Sequence, residues 1–487
     1  MKKRICFLMF VAITMVPLLL PAQSLVYKGN YKEWSNNITG LYLSQCIEFS
    51  PDSKNCYVGS YSGFTWYTVN AADGSVAFSG NLEENAAGGP AVDDGHGVVV
   101  SPDGKNVYTA IGYQRNSVAV YQRDPVTGKP TYDSKITEGD GGITDMTYPY
   151  DVDITPDGKF LYVPCQASSS LLWFSRNTAN GKITYVGKLV DGVNGADGLG
   201  TARNVDLSPD GKFLYLAASS DNAVSAYARD TVTGNLTRVS LIKQGDGGAD
   251  CVEDAYWVEV SPDGKFVYVS SQSLSGISWF ARDAQTGALT YKGCVKGVVS
   301  GSRGLAMHPS GKWIFASGSW GNLVVWFTRD AVTGALTKGG QAEDGVGGVD
   351  GLNSTRYNAI SPNGNIFVAT GYGENAFSYF VWSTPNGVAA GNTSSSPNDF
   401  TLQQNFPNPF NPSTTIRYTV PQSAAGTHVS LTVTDALGRL VATLVNGVKT
   451  PGTHEVRFDA RDAASGVYYY RLDAGTVRQV RRMTLIK

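Results

Sequence analysis

The sequence predicts an all-β fold class: a seven-bladed β-propeller followed by a small β-sandwich. Three observations predict it. A Ser/Thr-Pro-Asp-Gly-Lys turn starts at 101, 155, 208 and 261, each time followed by a short apolar strand. The chain holds 56 Gly and 26 Tyr but only 16% charged residues in 487, the usage of turn-rich β structure. After the first two dozen residues no long apolar stripe of helical period occurs, while the last 88 residues alternate apolar and polar between Gly/Asn/Pro turns.

Residues 1–24, MKKRICFLMFVAITMVPLLLPAQS, have a basic start, an apolar run broken by Pro17 and a small-residue end, as a secretory signal peptide has. No other stretch is apolar enough to span a bilayer, so no transmembrane segment is expected in the mature chain.

From 25 to 384 the chain repeats. The turn prolines are Pro51, Pro102, Pro156, Pro209, Pro262, Pro309 and Pro362, spaced 51, 54, 53, 53, 47 and 53 residues apart. Each unit parses into four short strands: one such as NVDLS, the proline turn, KFLYLA, then AVSAYARD, and after a TG corner a last one. Sheets of this size cannot bury both faces alone, and packing them around an axis does so. The seventh unit stops at YFVWSTPNG without its last strand, while SLVYKGNYKEW near the start resembles LTYKGCVKG, a last strand. Residues 25–33 are therefore expected to complete the seventh blade beside 376–383, leaving no sheet edge open.

SPDGKFLYLAASSDNAVSAYARDTVTGNLT is similar to the repeat of the seven-bladed lactonase-type propellers, also called YVTN-type repeat proteins. The resemblance implies either a binding platform or a hydrolase of lactones, 6-phosphogluconolactonase-like in kind. The inner-strand motif of that family has the form HPRHIAFHPDG. Arg203, Arg303 and Arg356 stand at its arginine, while its flanking histidines are replaced by Thr201 and Asn204, Gly301 and Gly304, and Ser354 and Tyr357.

In a propeller the first strand of each blade lines the channel. Six residues before each proline stand Gln45, His96, Tyr150, Arg203, Tyr256, Arg303 and Arg356, a polar ring suited to an anionic or carbonyl-bearing ligand. Gln45, Tyr150, Arg203, Tyr256, Arg303 and Arg356 are the candidate ligand-binding residues. His96, with Arg203, Arg303 and Arg356, is the catalytic candidate set if the chain is an enzyme. Three residues before each proline stand Glu48, Val99, Asp153, Asp206, Glu259, Ala306 and Ala359. The four acids would repel one another unless water, arginine or a cation intervened, so they form a candidate Ca²⁺ site. No other cofactor is implied. The loops EGDGGITD, VDGVNGADGLG, QGDGGADCVED and EDGVGGVDGLN miss the full calcium-loop spacing and read as turns. Cys46, Cys56, Cys165, Cys251 and Cys294 have no metal-ligand spacing and read as buried thiols.

Residues 25–399 carry 26 basic and 36 acidic side chains, which excludes the phosphate-neutralising surface of a nucleic-acid binder. The sign reverses over 400–487, with 10 basic and 5 acidic, after a small polar linker at 385–399. PNPFNP and the closing GVYYYRL…RRMTLIK resemble the C-terminal sorting domain of type IX secretion substrates, an immunoglobulin-like β-sandwich. That resemblance implies the type IX secretion machinery as the partner of 400–487, and a secreted or cell-surface protein of a Gram-negative-type bacterium. The expected function is an exported binding module for a small-molecule, glycan or protein ligand, with lactone hydrolysis as the alternative.

Overall fold

A computed structural model describes residues 24–383 apart from 36–37, 72, 84–93 and 114, and residues 401–486 apart from 403–404, 406–407, 409, 421–426, 437, 451 and 475–476. The predicted leader, save Ser24, and the predicted linker lie outside the described residues. The fold is all-β, in two compact units within Met1–Ala389 and Ala390–Lys487.

The first unit consists of seven four-stranded antiparallel sheets. Blade 4 shows the plan: Ala202–Leu207 innermost, then Phe213–Ala218, Ala223–Arg229 and Leu236–Lys243 outermost. Blade 7 has Thr355–Ile360, Ile366–Gly371 and Ala376–Ser383, and its outer strand is Ser24–Lys32 from the other end of the unit. The pairing runs from Ser24 opposite Ser383 to Lys32 opposite Ala376. The ring is thus closed by hydrogen bonds between its two ends.

The repeated turn is built by its own side chains. In blade 2 the Ser101 hydroxyl donates to Asp103 (2.6 Å) and accepts from Asn106 N (2.9 Å), and Asp103 accepts from Lys105 N (3.2 Å). Gly104 takes the left-handed corner at φ 69°.

The same aspartates hold the blades to one another. Arg176, at the end of the third strand of blade 3, reaches back to blade 2, where its Nη2 donates to Asp103 (3.1 Å) and to Asn106 Oδ1 (2.7 Å). Its Nε donates to the Tyr108 hydroxyl (2.6 Å). Arg123, Arg282 and Arg329 repeat this on Asp52, Asp210 and Asp263, with Tyr57, Tyr215 and Tyr268 accepting from Nε. Arg229 reaches Asp157 only at 3.9 Å. Val69 and Trp382 stand in the arginine's place in blades 1 and 7. There the joints are apolar: Val69 packs with Ile366 and Phe377, and Trp382 meets Trp313, Phe315 and Trp326 edge-on.

The second unit is a two-sheet sandwich. Thr401–Leu402, Ser413–Val420 and Gly452–Asp459 form one sheet; Leu440–Val448, His428–Asp435, Gly466–Ala474 and Val477–Leu485 form the other. Both bury alternate residues, among them Ile416, Tyr418, Leu431, Tyr470 and Met483, in one core. No helix of the described residues is long and apolar enough to cross a membrane.

Candidate functional site

A strand turns successive side chains to opposite faces, so residues six and three before each proline should not share the channel. In five blades a bulge falls at the first of these positions. The ladder skips His96, Arg203 and Tyr256 in blades 2, 4 and 5, and skips two residues, beginning at Arg303 and Arg356, in blades 6 and 7. The first residue skipped in each of these blades belongs to the polar ring, and bulged residues are re-aimed from the pleat.

The ring residues meet. The Tyr150 and Tyr256 hydroxyls hydrogen-bond to each other, and the Tyr357 hydroxyl donates to Tyr150 at 3.1 Å. These phenols come from blades 3, 5 and 7 and form a buried tyrosine layer. The Arg203 guanidinium lies 4.8 Å from the Tyr150 ring centre and 4.9 Å from that of Tyr256, and Arg303 lies 4.7 Å from Tyr256. Burial raises the Tyr256 phenol, but Arg303 and Arg203, with the Tyr150 hydrogen bond and Arg356, bring it below its ordinary value. Arg356 sits 3.2 Å from the Tyr372 ring centre and donates to Gln45 Oε1 at 3.3 Å. Among the described residues none of the three guanidiniums forms an ion pair within 4.0 Å, although Asp254 is near enough to Arg203 and Arg303 for both to act on its carboxyl. Gln272, with its amide oxygen facing Arg303, accepts from Nε (3.2 Å) and Nη2 (3.0 Å).

His96 is 3% exposed. Its Nε2 lies 3.0 Å from Asp94 Oδ1 and 3.3 Å from Gln45 Nε2, while Tyr148 and Tyr150 pack on the ring, each 4.9 Å between centres. The histidine is walled in rather than presented at the crown.

Glu48, Val99, Asp153, Asp206, Glu259, Ala306 and Ala359 all line one cavity of about 210 Å³. Asp151 lines it too; nothing in the spacing from the prolines singled this residue out. Among the described residues, sets of three acidic ligand atoms within 4.8 Å of one another occur at Asp191, Asp197 and Asp221 and at Asp344, Asp350 and Glu374, not in the channel. Channel acids instead tie blade to blade. Asp151 Oδ2 accepts from Asn204 Nδ2 (2.7 Å), Asp206 from Val260 N (2.6 Å) and Glu259 from Met307 N (2.9 Å). Burial pushes Glu48 up to about 8, Asp206 to about 7 and Asp151 to about 6. Asp153 and Glu259 also rise well above the carboxylate range through burial and then the Asp206 charge.

The family described as Lactonase, 7-bladed beta-propeller matches residues 46–197 and 190–349, and the secretion system C-terminal sorting domain matches 404–487. A 6-phosphogluconolactonase of Pectobacterium carotovorum is 22% identical over 144 residues, 30% of this chain and 42% of that protein. One from Photorhabdus laumondii is 26% identical over 276 residues, 54% of this chain and 77% of that protein. This chain thus spans less than half the length of the first relative. The solved periplasmic gluconolactonase of Pseudomonas aeruginosa aligns with a TM-score of 0.52 at 19% identity, covering 62% of this chain and 85% of that one. At that identity the likeness is one of fold.

Proposed function

The chain belongs to the seven-bladed lactonase β-propeller family and ends in a type IX secretion C-terminal sorting domain; from that premise we propose that it is an exported propeller whose crown binds an organic anion. The observation that carries this reading is the set of Arg203, Arg303 and Arg356 around the channel mouth, each without a carboxylate partner within 4.0 Å among the described residues. Guanidiniums held over tyrosine rings are oriented and partly dehydrated before a ligand arrives, which favours a carboxylate or phosphate.

Lactone hydrolysis is the second reading, favoured by the named activity of the relatives and by Tyr256. A phenol acidified by two guanidiniums ionises more readily, and its phenolate can take a proton from an attacking water to become the phenol again, while an arginine polarises the lactone carbonyl. One experiment separates the two. Purified mature protein is titrated with aldonates by calorimetry and followed with aldonolactones by pH-stat. Binding of aldonates that weakens at least tenfold in Arg303→Ala, with no acid release above the spontaneous rate, is the expected result. Lactone opening abolished by Arg203→Ala would replace the binding reading with the enzymatic one.

A further inference from the structure

The loops on the channel-mouth face carry large aromatic side chains in two runs of touching rings joined through Asp94. Trp34 is 71% exposed, Tyr42 37%, Tyr61 43% and Tyr113 53%. Trp34 and Tyr42 have ring centres 6.2 Å apart at 35°, and Tyr42 meets Tyr61 at 6.1 Å and 74°. The Tyr61 carbonyl accepts from Asp94 N (3.2 Å), and the Asp94 carboxylate accepts from Tyr113 N. Tyr113 meets Tyr148 edge-on at 6.4 Å, and Tyr148 stacks on Tyr150 at 6.1 Å, beneath Arg203. The arc crosses blades 7, 1, 2 and 3, whereas the unpaired arginines stand on blades 4, 6 and 7.

We propose that this arc is an extended subsite for an acidic oligosaccharide, with successive sugar rings against Trp34, Tyr42, Tyr61 and Tyr113 and a uronate carboxylate at Arg203 and Arg303. The proposal rests on the reading of the channel mouth as an anion site. Pyranose rings have apolar C–H faces and hydroxylated edges, matching walls made of tyrosine and tryptophan rings whose polar tips stay wet. The angled rings suit units that turn about each glycosidic bond better than a flat aromatic plate would. An extended peptide would seek an open strand edge, and the edges of these sheets are the innermost and outermost strands of each blade rather than the loops that carry the arc. A lipid surface would seek aliphatic side chains with basic ones, yet residues 25–399 are net acidic.

The test uses purified mature protein with oligogalacturonates of one to six units and their carboxyl-reduced counterparts, read by calorimetry. Affinity is expected to rise with length and to be lost on carboxyl reduction. The exposed double variant Trp34→Ala/Tyr61→Ala should bind the hexamer at least tenfold more weakly and the monomer unchanged, whereas Arg303→Ala should weaken both. Equal hexamer binding by wild type and the double variant overturns the arc, as does preference for an acidic peptide of equal charge. Loss of monomer binding in wild type would instead overturn the anion site beneath it.

A separate observation concerns two thiols. Cys251, in the crown loop before blade 5, approaches the Val295 carbonyl at 3.8 Å, and Cys294, on the outer strand of that blade, donates to Asp250 at 3.5 Å. Each sulfur therefore touches the residue beside the other. After burial, the Cys294 thiol is what most raises that of Cys251. We infer that Cys251 and Cys294 join as a disulfide once the chain is exported. The two thiols lose two protons and two electrons to a disulfide oxidant or dioxygen, and one S–S bond forms. Thiol counting on the denatured, unreduced mature protein should find three free thiols of five, with a linked 251–294 peptide in the mass spectrum that Cys294→Ser removes. Five free thiols would overturn the inference.

Discussion

Asp206 and Asp103 lie in one propeller, yet their surroundings move their acidities in opposite directions. Burial raises Asp206 to about 7 and Glu48 to about 8, so the folded protein holds protons that an unfolded chain would release near pH 4. Their favourable contribution is complete below about pH 4 and is lost as pH rises towards 7 or 8. Asp103 is opposed by burial but held below its ordinary value by Ser101 and Arg176, so its contribution is present above about pH 3.8 and is lost as acid protonates it. The melting temperature is accordingly expected to peak near pH 5, falling towards pH 8 and below pH 3.5. Asp206→Asn should flatten the alkaline fall in scanning calorimetry, and an unaltered slope would remove the channel acids as its cause. If Ca²⁺ enters the cavity, it should raise the melting temperature at pH 8 and not at pH 5.

Arg176 and its equivalents explain why the third strand so often ends in Arg-Asp. The arginine joins its blade to the one before, and the following aspartate shapes its own corner; Asp124 accepts from Val126 N (2.9 Å) and Thr127 N (2.7 Å). Arg176→Met keeps the aliphatic packing but takes the guanidinium's donors from Asn106 Oδ1 and the Tyr108 hydroxyl and leaves Asp103 only Ser101 and Lys105 N. Chemical denaturation should show a loss on the order of 2–3 kcal/mol. Arg229→Met should lose less, since Arg229 stands 3.9 Å from Asp157 and its Nη1 has no hydrogen-bond partner among the described residues. The strands and turns were legible because Pro, Asp and Gly act locally. The latches were not, because Arg176 and Asp103 are 73 residues apart and only the folded joint brings them together.

For the whole molecule, period and turn chemistry were enough to predict seven blades, and the likeness of SLVYKGNYK to an outer strand was enough to predict which residues close the ring. The channel was legible in part. Counting back from the prolines found Arg203, Tyr256 and the cavity acids, but overlooked Asp151, five residues before its proline, and Tyr357, beside which a bulge breaks the alternation. Nor could counting reveal that Tyr148 covers His96, since loop positions follow no period. Deleting 25–33 should expose the edge of Ala376–Ser383 and lower the melting temperature by 10 °C or more, roughly the effect of several kcal/mol. Removing 400–487 should leave the protein in the periplasm, and fractionation of the host would show it.

The strand that completes blade 7 also sets a timetable. Ser24–Lys32 leaves the ribosome more than three hundred residues ahead of the Ala376–Ser383 strand it must pair with. Blades can be made one after another during synthesis, but this early segment stays without its partner until the last of them exists. A chain threaded through a membrane from its front end therefore reaches the far side before it can lock, and its final clasp belongs to the compartment of arrival.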